Sequence, residues 1–258
     1  LLAGAEPYFL NTTAGNAYLP DLESVPADVW RRCQLLFLCS PANPVGAVMD
    51  QAYLMRALEL AEQHDFIVAS DECYADLFDD ESSPPPSLLA AAAAMGNTAY
   101  RRCMTFHSLS KRSSLPGLRS GVVIGDAALI APFLLYRTYH GCAMPIPTQR
   151  ASITAWSDDE HVRANRALYR RKFDRVLPVL RAVIDVDRPA GGFYLWLNVG
   201  GDDAAFTADL FAAQNITVVP GSYLARATAG GNPGAGYVRI SLVAPEEECV
   251  QAAARIRD

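Results

Sequence analysis

The sequence lacks the cysteine and histidine patterns that mark disulfide-stapled and metal-binding proteins. Its six cysteines include no Cys-x-x-Cys pair and are scattered over positions 33, 39, 73, 103, 142 and 249. The four histidines show no metal-ligand spacing, so we expect no metal site. Several cysteines lie in apolar runs, and this distribution predicts buried, reduced thiols in a cytoplasmic protein.

Basic charge and long apolar runs are also scarce. The formal net charge is −6, and an anionic protein is repelled by phosphate backbones, so we expect no nucleic-acid partner and no membrane-surface role. No apolar run approaches the length of a membrane span, and the start does not read as a signal peptide. At 258 residues the chain can bury a real core in one large domain or two modest ones.

The first half alternates short apolar runs with helical patterns. Such alternation is typical of β-α units, and it predicts an α/β fold with a mainly parallel sheet flanked by helices. The continuous apolar run at 35–39 predicts a buried strand. Further strands are predicted at 66–69, 103–106 and 122–124, and helices at 50–64 and 88–95.

The second half predicts a smaller α+β domain. A long helix is expected from about 161 to 184, with Arg163, Arg166 and Arg170 sharing a face that we interpret as solvated. Strands are predicted at 191–197 and 237–243, with a helix at 205–215 between them. We therefore expect residues 1–160 to belong to a large domain, and residues 161–258 to form the linking helix and a small C-terminal domain.

Three polar clusters follow the predicted strands of the first half, and ligands bind at this end of the strands in open α/β sheets. The first cluster spans residues 40–46, where Asn43 lies between two prolines and can offer its side-chain amide at a fixed position. A tight turn without a ligand is the alternative interpretation. The sequence also permits a cis bond between Asn43 and Pro44.

The second cluster contains Asp71 and Tyr74. An aspartate at a strand end among apolar neighbours needs a positive partner to stay ionised, and a pyridinium nitrogen would serve. A protonated pyridine ring is an electron sink for a carbanion, and Tyr74 could donate a hydrogen bond to a phenolic oxygen on that ring. Taken alone, the cluster is better explained by a helix N-cap aspartate with a packing tyrosine.

The third cluster predicts a site for a cofactor that carries both an aldehyde and a phosphate. Lys111 lies between Ser108-Leu109-Ser110 and, eight positions later, Arg119. The lysine amine can form a Schiff base with the aldehyde, and the serine hydroxyls and the arginine can hold the phosphate. Ser-x-x-Lys alone is weak, because it also opens a β-lactamase signature, and a surface lysine is the alternative.

Arg239 lies inside the apolar strand predicted at 237–243. A buried arginine is rare unless it is paired. Its planar fork suits a bidentate clamp on a substrate α-carboxylate, and a structural ion pair is the alternative.

Together, these residues resemble the fold-type I pyridoxal-phosphate aminotransferases of class I/II. The resemblance covers essentially the whole chain, and it is specific as an ordered set: Asn43-Pro44-x-Gly46, Asp71-x-x-Tyr74, Ser108-x-Ser110-Lys111, Arg119 and Arg239. The stretch from Phe106 to Gly121 is similar to the N-succinyldiaminopimelate aminotransferases, and Gly221–Arg226 and the Asn232-Pro233-Gly234 loop point the same way. The resemblance implies a large cofactor-binding domain within residues 1–160.

The resemblance also implies a role for each site residue. The residue matching Asp71 binds the ring nitrogen, and those matching Asn43 and Tyr74 bind the phenolic oxygen. The residue matching Lys111 binds the carbonyl carbon and moves a proton, and the one matching Arg239 binds the substrate carboxylate. Phosphate-binding roles fall on the residues that match Ser108, Ser110 and Arg119.

By the same resemblance, the activity is transamination with amino-acid and 2-oxo-acid substrates, here of the diaminopimelate and lysine pathway, in a homodimer. Other aminotransferases, of aspartate or aromatic type, and a carbon–sulfur lyase share the ring-binding set, because specificity lies in loops. A non-enzymatic cofactor-binding module is a further alternative. The Arg239 clamp and the absence of a basic DNA-binding region oppose it.

The start of the chain departs from the family pattern. It opens Leu1-Leu2-Ala3-Gly4, without methionine and in what reads as a helix end. We therefore expect a piece of a longer protein, without the phosphate-binding turn and the ring-stacking aromatic that the family carries before this point. Without those groups, the 258-residue chain could fold and still be catalytically inactive, and we keep this as an alternative.

Overall fold

Two separate β-sheets organise the chain in the computed structural model, which describes residues 3–258. The elements follow in the order α1 (Ala27–Arg32), β1 (Leu35–Cys39), α2 (Gln51–His64), β2 (Ile67–Asp71), α3 (Leu88–Ala94), β3 (Cys103–Ser108), α4 (Leu109–Arg112), β4 (Gly121–Gly125), α5 (Ala127–His140), α6 (Ile146–Trp156), α7 (Glu160–Leu180), β5 (Tyr194–Asn198), α8 (Asp203–Gln214), β6 (Val219–Pro220), β7 (Tyr237–Ser241) and α9 (Glu246–Arg257). The predicted helix end at residues 1 and 2 lies outside the described residues, and residues 3–10 form no helix.

The first sheet has the strand order β1-β2-β3-β4. Strands β1, β2 and β3 run parallel, and β4 runs antiparallel to β3. Parallel neighbours need a crossover, which α2 supplies between β1 and β2, and the segment containing α3 supplies between β2 and β3. This confirms the predicted α/β class with a mainly parallel sheet flanked by helices.

Helix α2 shows why the crossovers form where they do. Its N-cap Asp50 accepts a hydrogen bond from the Tyr53 N–H at 2.7 Å, which satisfies a donor that the first turn leaves free. Leu54, Ala57 and Ala61 repeat at helical spacing and are buried in the core beneath the sheet. The core cluster of this half also contains Trp30, Leu36, Leu38, Phe66, Val68, Leu88 and Cys103.

Strand β1 is buried on one face only, which corrects the buried strand predicted from its continuous apolar run. Leu36 and Leu38 are 7% and 1% exposed, whereas Leu35 and Phe37 are 54% and 61% exposed. Successive side chains of a strand point to opposite faces, and in the described part of the chain the helices of the core cover one of these faces at β1. The apolar residues of the other face therefore lie open.

The second sheet is antiparallel, with the order β5-β7-β6. Helix α8 packs against β6 and β7, and α7 and α9 pack on each other and contribute to the same core, as the predicted small α+β domain requires. Its core is formed by Phe173, Val176, Leu177, Leu180, Leu195, Leu197, Ile216, Val218, Val238 and Leu242. The domain division after residue 160 remains a prediction.

Helix α7 is fastened to the first half through a buried arginine, so the predicted solvated face is wrong at Arg166. The Arg166 guanidinium donates to both carboxylate oxygens of Glu81, at 2.8 and 3.0 Å, and to the Asp76 carbonyl at 2.9 Å. It also lies 4.2 Å above the Phe78 ring. Arg170 donates to the same Glu81 carboxylate. These contacts tie α7 to the segment after β2.

Among the described residues, no helix combines the length and the apolar character that a membrane crossing requires.

Candidate active site

The parallel strands bring the three predicted clusters to one edge of the first sheet. Cys39, at the end of β1, pairs with Asp71, which in turn pairs with Phe106 near the end of β3. Strand β4 runs the other way and begins at this edge, with Gly121 opposite Ser108. The segment before β4, which carries Arg119, therefore arrives at the same edge as the ends of β1, β2 and β3.

Lys111 lies in α4, a single helical turn whose N-cap is Ser108. The Ser108 hydroxyl accepts a hydrogen bond from the Ser110 N–H at 3.1 Å, which fixes the start of the turn. The Lys111 ammonium lies 5.7 Å from the centre of the Tyr74 ring and 5.2 Å from that of Phe193. Within residues 3–258, no carboxylate lies within ion-pair distance of this ammonium.

Lysine itself is rare in this chain, a signal that the sequence interpretation missed. Lys111 and Lys172 are the two lysines of the printed sequence, against a combined lysine and arginine count of 22. Lys172 is buried, and its ammonium donates to the Leu242 carbonyl at 2.8 Å. Burial lowers the pKa of Lys172. Lys111 is thus the lysine available at the sheet edge.

Asp71 ends β2 and caps a turn, so the alternative of a helix N-cap is wrong. Its carboxylate accepts the Cys73 N–H at 3.0 Å, and residues 73–76 form a turn with no helix after it. No basic side chain of residues 3–258 lies within ion-pair distance of it. Burial and the neighbouring Asp71 raise the pKa of the Cys73 thiol to about 12, so this thiol stays neutral beside the carboxylate.

Tyr74 and Tyr194 form a buried pair of phenols at the centre of the edge. Their hydroxyl oxygens are 2.6 Å apart, and both rings contact Phe193. Burial, followed by the hydrogen bond shared with Tyr194, raises the pKa of Tyr74. Tyr74 therefore keeps its proton at neutral pH and can act as a donor. The sequence interpretation treated 191–197 only as a strand and missed Tyr194.

Arg239 reaches this site from β7. Its Nη1 donates to the Asn43 side-chain oxygen at 2.8 Å, and its guanidinium lies 4.5 Å over the Tyr194 ring. The Nε is buried and has no hydrogen-bond partner. The structural ion pair is not observed in the described part of the chain, where no carboxylate lies within reach of Arg239.

Asn43 is exposed in the turn after β1, and both the Ser40-Pro41 and Asn43-Pro44 bonds are cis. Its side-chain oxygen accepts from Arg239, so its amide N–H groups are the remaining donors. The sequence interpretation assigned the same N–H groups as the donors that Asn43 offers to a ligand.

The structure brings together two of the three predicted phosphate-binding residues. The Ser108 hydroxyl lies 2.9 Å from the Ser110 hydroxyl and 3.3 Å from the Ser120 carbonyl. Arg119 is exposed, has a φ of +52° and donates to the Pro116 carbonyl at 2.8 Å. Within residues 3–258 it makes no hydrogen bond to either serine and no ion pair.

A buried carboxylate behind the site was also missed. Glu72 follows Asp71 and is 3% exposed, because its side chain turns into the core. One of its oxygens accepts the Leu88 N–H at the start of α3 at 2.9 Å, and the other lies 3.3 Å from His107 Nε2. Glu72 therefore joins the turn after Asp71 to α3 and β3.

The donor set fits a cofactor with a carbonyl, a ring nitrogen and a phosphate. One carboxylate and three basic side chains lie along the edge without an opposite charge from residues 3–258: Asp71, Lys111, Arg119 and Arg239. Uncompensated charges in one cleft are costly unless a ligand completes them. The buried Arg239 Nε is a further donor without a partner.

Comparison with known proteins agrees with this donor set. A family model described as aminotransferase class I and II matches residues 2–256. An LL-diaminopimelate aminotransferase of Nitratidesulfovibrio vulgaris is 32% identical over 258 residues, which cover 98% of this chain and 64% of that protein. A probable aminotransferase of Mycobacterium tuberculosis is 36% identical over 223 residues, or 86% and 51% of the two chains.

Solved structures show the same fold. An aminotransferase of Neisseria meningitidis superposes with a TM-score of 0.92 at 50% identity, over 99% of this chain and 64% of that one. A probable N-succinyldiaminopimelate aminotransferase of Thermus thermophilus superposes with a TM-score of 0.82 at 32% identity, over 93% and 62%. The chain thus spans less than two thirds of these proteins. It belongs to the aminotransferase class I and II family, whose cofactor is pyridoxal 5′-phosphate.

Proposed function

We propose that the protein is a pyridoxal-phosphate-dependent aminotransferase, which moves an amino group from an amino acid to a 2-oxo acid. One observation carries this proposal: Lys111, Asp71 and Arg239 meet at one sheet edge, and none of them has an opposite charge from residues 3–258. An amine, a carboxylate and a guanidinium are the three groups that this chemistry needs around one ligand.

Each residue at the sheet edge would bind a different group of the cofactor. When bound, pyridoxal phosphate supplies an aldehyde that accepts amines and a ring that withdraws electrons from the carbon beside the amine. Asp71 would accept the hydrogen bond of the ring N–H and keep that nitrogen protonated. Tyr74 and the Asn43 amide would donate to the phenolic oxygen. The phosphate would lie against the hydroxyls of Ser108 and Ser110, and against Arg119.

Lys111 would hold the aldehyde carbon through its Nζ in the resting enzyme. After the substrate amine takes this place, the free Lys111 amine would remove the proton from the substrate Cα and deliver it to the cofactor carbon. The centres of the Tyr74 and Phe193 rings lie 5.7 and 5.2 Å from this nitrogen, and the rings border the place where the proton would be moved.

Arg239 would clamp the substrate α-carboxylate. Its Nη1 is held by Asn43 and its plane by the Tyr194 ring, so the guanidinium is oriented before the substrate arrives. A fixed guanidinium binds a carboxylate bidentately without a further loss of side-chain entropy.

For the substrate, we propose N-succinyldiaminopimelate, with 2-oxoglutarate and glutamate as the second pair. The support is the sequence stretch from Phe106 to Gly121 together with the similarity to the probable N-succinyldiaminopimelate aminotransferase of Thermus thermophilus. The second candidate is unacylated LL-diaminopimelate, which the Nitratidesulfovibrio vulgaris relative favours by its name. A homodimer and a cytoplasmic location belong to the same proposal.

A labelling experiment tests the cofactor assignment. The full-length protein and the 258-residue chain are each incubated with pyridoxal phosphate, reduced with borohydride and digested for mass spectrometry. We expect a phosphopyridoxyl adduct on Lys111 in the full-length protein and none on Lys172, which is buried and bonded to Leu242. Equal labelling of both lysines in the full-length protein would overturn the proposal.

A substrate panel tests the specificity. The purified full-length enzyme is assayed with 2-oxoglutarate and, in parallel, with N-succinyldiaminopimelate, LL-diaminopimelate, aspartate and an aromatic amino acid. We expect the acylated substrate to give the highest kcat/KM. A higher kcat/KM for LL-diaminopimelate would select the second candidate. Pyruvate and ammonia release from cystathionine would select the lyase alternative.

A further inference from the structure

Tyr194 contacts two residues of the proposed site at once, through two different parts of its side chain. It begins β5 and is 6% exposed. Its hydroxyl oxygen is 2.6 Å from that of Tyr74, and its ring lies 4.5 Å from the guanidinium carbon of Arg239. The two contacts are separable, because one uses the oxygen and the other uses the ring.

The hydroxyl contact fixes where the Tyr74 proton points. One of two paired hydroxyls must donate and the other must accept. Because the proposed function needs the Tyr74 proton for the phenolic oxygen of the cofactor, the hydrogen bond between the two tyrosines has to come from Tyr194. A hydroxyl that accepts one hydrogen bond becomes a stronger donor in the next, since the bonds in a chain polarise each other.

The ring contact fixes the plane of Arg239. A guanidinium that lies over an aromatic face is attracted by the negative face of the ring. The Asn43 oxygen holds one end of this guanidinium, and the Nε at the other end is buried without a partner. The Tyr194 ring therefore supports the guanidinium between these two ends.

We propose that Tyr194 is a positioning residue with two separable actions: its hydroxyl aims Tyr74 at the phenolic oxygen of the cofactor, and its ring aims Arg239 at the substrate carboxylate. The inference rests on the proposed function. The titratable and charged groups that face Tyr74 come from four elements: Tyr194 on β5, Arg239 on β7, Cys39 on β1 and Lys111 on α4.

The test compares Tyr194→Phe, which keeps the ring, with Tyr194→Leu, which removes both the ring and the hydroxyl. Tyr169→Phe is the matched control, because Tyr169 stacks on Phe193 in the same cluster and its hydroxyl makes no hydrogen bond within residues 3–258. Each full-length variant is loaded with pyridoxal phosphate. The bound cofactor's absorbance is titrated against pH, and KM and kcat are measured for the amino-acid substrate.

In Tyr194→Phe, we expect the midpoint of the absorbance titration to rise by about half a pH unit, the size of one modest hydrogen bond. The rise follows because a weaker Tyr74 donor stabilises the anionic phenolic oxygen less. We expect KM to stay within about twofold of the wild type, since the ring under Arg239 remains. In Tyr194→Leu, KM should rise about fivefold as well.

Each action has its own contrary result. An unchanged midpoint in Tyr194→Phe, or an equal rise in Tyr169→Phe, would overturn the action of the hydroxyl. An equal KM in the Phe and Leu variants would overturn the action of the ring, and Tyr194→Met replaces the Leu variant if that one does not fold. Failure of the proposed function is distinguishable, because the wild type would then carry no adduct on Lys111.

Discussion

At the scale of single residues, the site is marked by charges that the described part of the chain does not neutralise. Most of the other arginines are paired: Arg166 with Glu81, Arg112 with Asp159, and Arg188 with Asp174. Arg166, Arg112 and Arg188 also lie over aromatic rings, so their carboxylate partners are what distinguishes them. Arg239 and Lys111 have the ring contact without a carboxylate from residues 3–258, which agrees with the ligand-binding roles that we propose for them.

The first prediction concerns Lys111. We expect Lys111→Ala to lower kcat by at least about 1000-fold, because both covalent attachment and proton transfer are lost. Lys172→Arg is the control, since Lys172 is the other lysine and bonds only to the Leu242 carbonyl in the described structure. Steady-state kinetics on both variants decide the matter. A Lys111→Ala enzyme with a near-native rate would remove this residue from the mechanism.

The second prediction concerns Asp71. In Asp71→Asn, the side-chain oxygen can still accept the Cys73 N–H, but the negative charge is lost. We expect kcat to fall about 100-fold or more, because a neutral amide no longer keeps the ring nitrogen protonated. Circular dichroism should show an unchanged fold. If kcat stays within twofold of the wild type, Asp71 has another role.

The order of motifs along the chain predicts Asp71, Tyr74 and Lys111, and the structure places them at one edge as expected. The sequence could not predict the role of Tyr194, because a tyrosine within an apolar strand cannot be distinguished from an ordinary core residue. The partner of its hydroxyl, Tyr74, is 120 positions away. Only the fold brings the two oxygens together.

At the scale of elements, the contact between α7 and the segment after β2 holds the two halves together. Arg166 projects from the middle of α7 and is almost fully buried, while Glu81 is half exposed. A buried guanidinium that loses its carboxylate keeps its desolvation cost without the compensating attraction. The contact therefore matters more to stability than a surface ion pair does.

The third prediction follows from this contact. We expect Glu81→Gln to lower the free energy of unfolding by about 1–2 kcal/mol at pH 7, a figure reduced for the exposure of Glu81. Asp209→Asn on α8 is the control, because Asp209 is exposed and has no ion pair within residues 3–258. Urea unfolding measures both variants. Equal stability of Glu81→Gln and the wild type would contradict the role of the contact.

The same pair predicts a pH dependence. The hydrogen bond from Arg166 lowers the pKa of Glu81 below its ordinary value of 4.5. A carboxyl group with a lowered folded-state pKa stabilises the protein above its unfolded-state pKa, and this contribution is lost as the pH falls through the folded-state value. The difference in stability between wild type and Glu81→Gln should therefore shrink when unfolding is measured below about pH 4.5. A constant difference at all pH values would contradict this.

The elements that were predicted have the observed types, but their ends differ, and helices α1, α5, α6 and α9 were not predicted. Strands β2 and β3 each continue two residues beyond the predicted apolar runs, through Ser70-Asp71 and His107-Ser108. Backbone pairing continues there although the side chains turn polar, because ladder hydrogen bonds use main-chain groups whatever the side chain. An apolar run therefore marks the apolar part of a strand and not its end.

At the scale of the whole molecule, the described chain exposes an unusual amount of apolar surface. Helix α5 has no buried residue, and its Leu134, Leu135, Tyr136 and Tyr139 are all more than half exposed. Strand β1 adds Leu35 and Phe37. Large exposed apolar patches on a protein mark surfaces that associate with another surface. The sequence could not predict this exposed surface, because an apolar residue is assigned to the core whether or not another element covers it.

The fourth prediction concerns this surface. We expect the 258-residue chain to self-associate as its concentration rises, and Leu134→Ser with Tyr139→Ser to weaken this association. The same double variant should change the free energy of unfolding by less than about 0.5 kcal/mol, because both side chains are exposed. In contrast, Leu54→Ala in the core should cost about 2–5 kcal/mol. Sedimentation velocity at several concentrations measures association, and identical profiles for wild type and variant would contradict the prediction.

The return of the chain from α4 to β4 has a mechanical consequence. Lys111 and Arg119 lie on one loop, and the Leu109 N–H closes the base of this loop by donating to the Ser120 carbonyl at 3.1 Å. This bond fixes the backbones of Lys111 and Arg119 relative to each other, so the two residues belong to one closed unit. Arg239 lies on β7 of the other sheet, outside this unit.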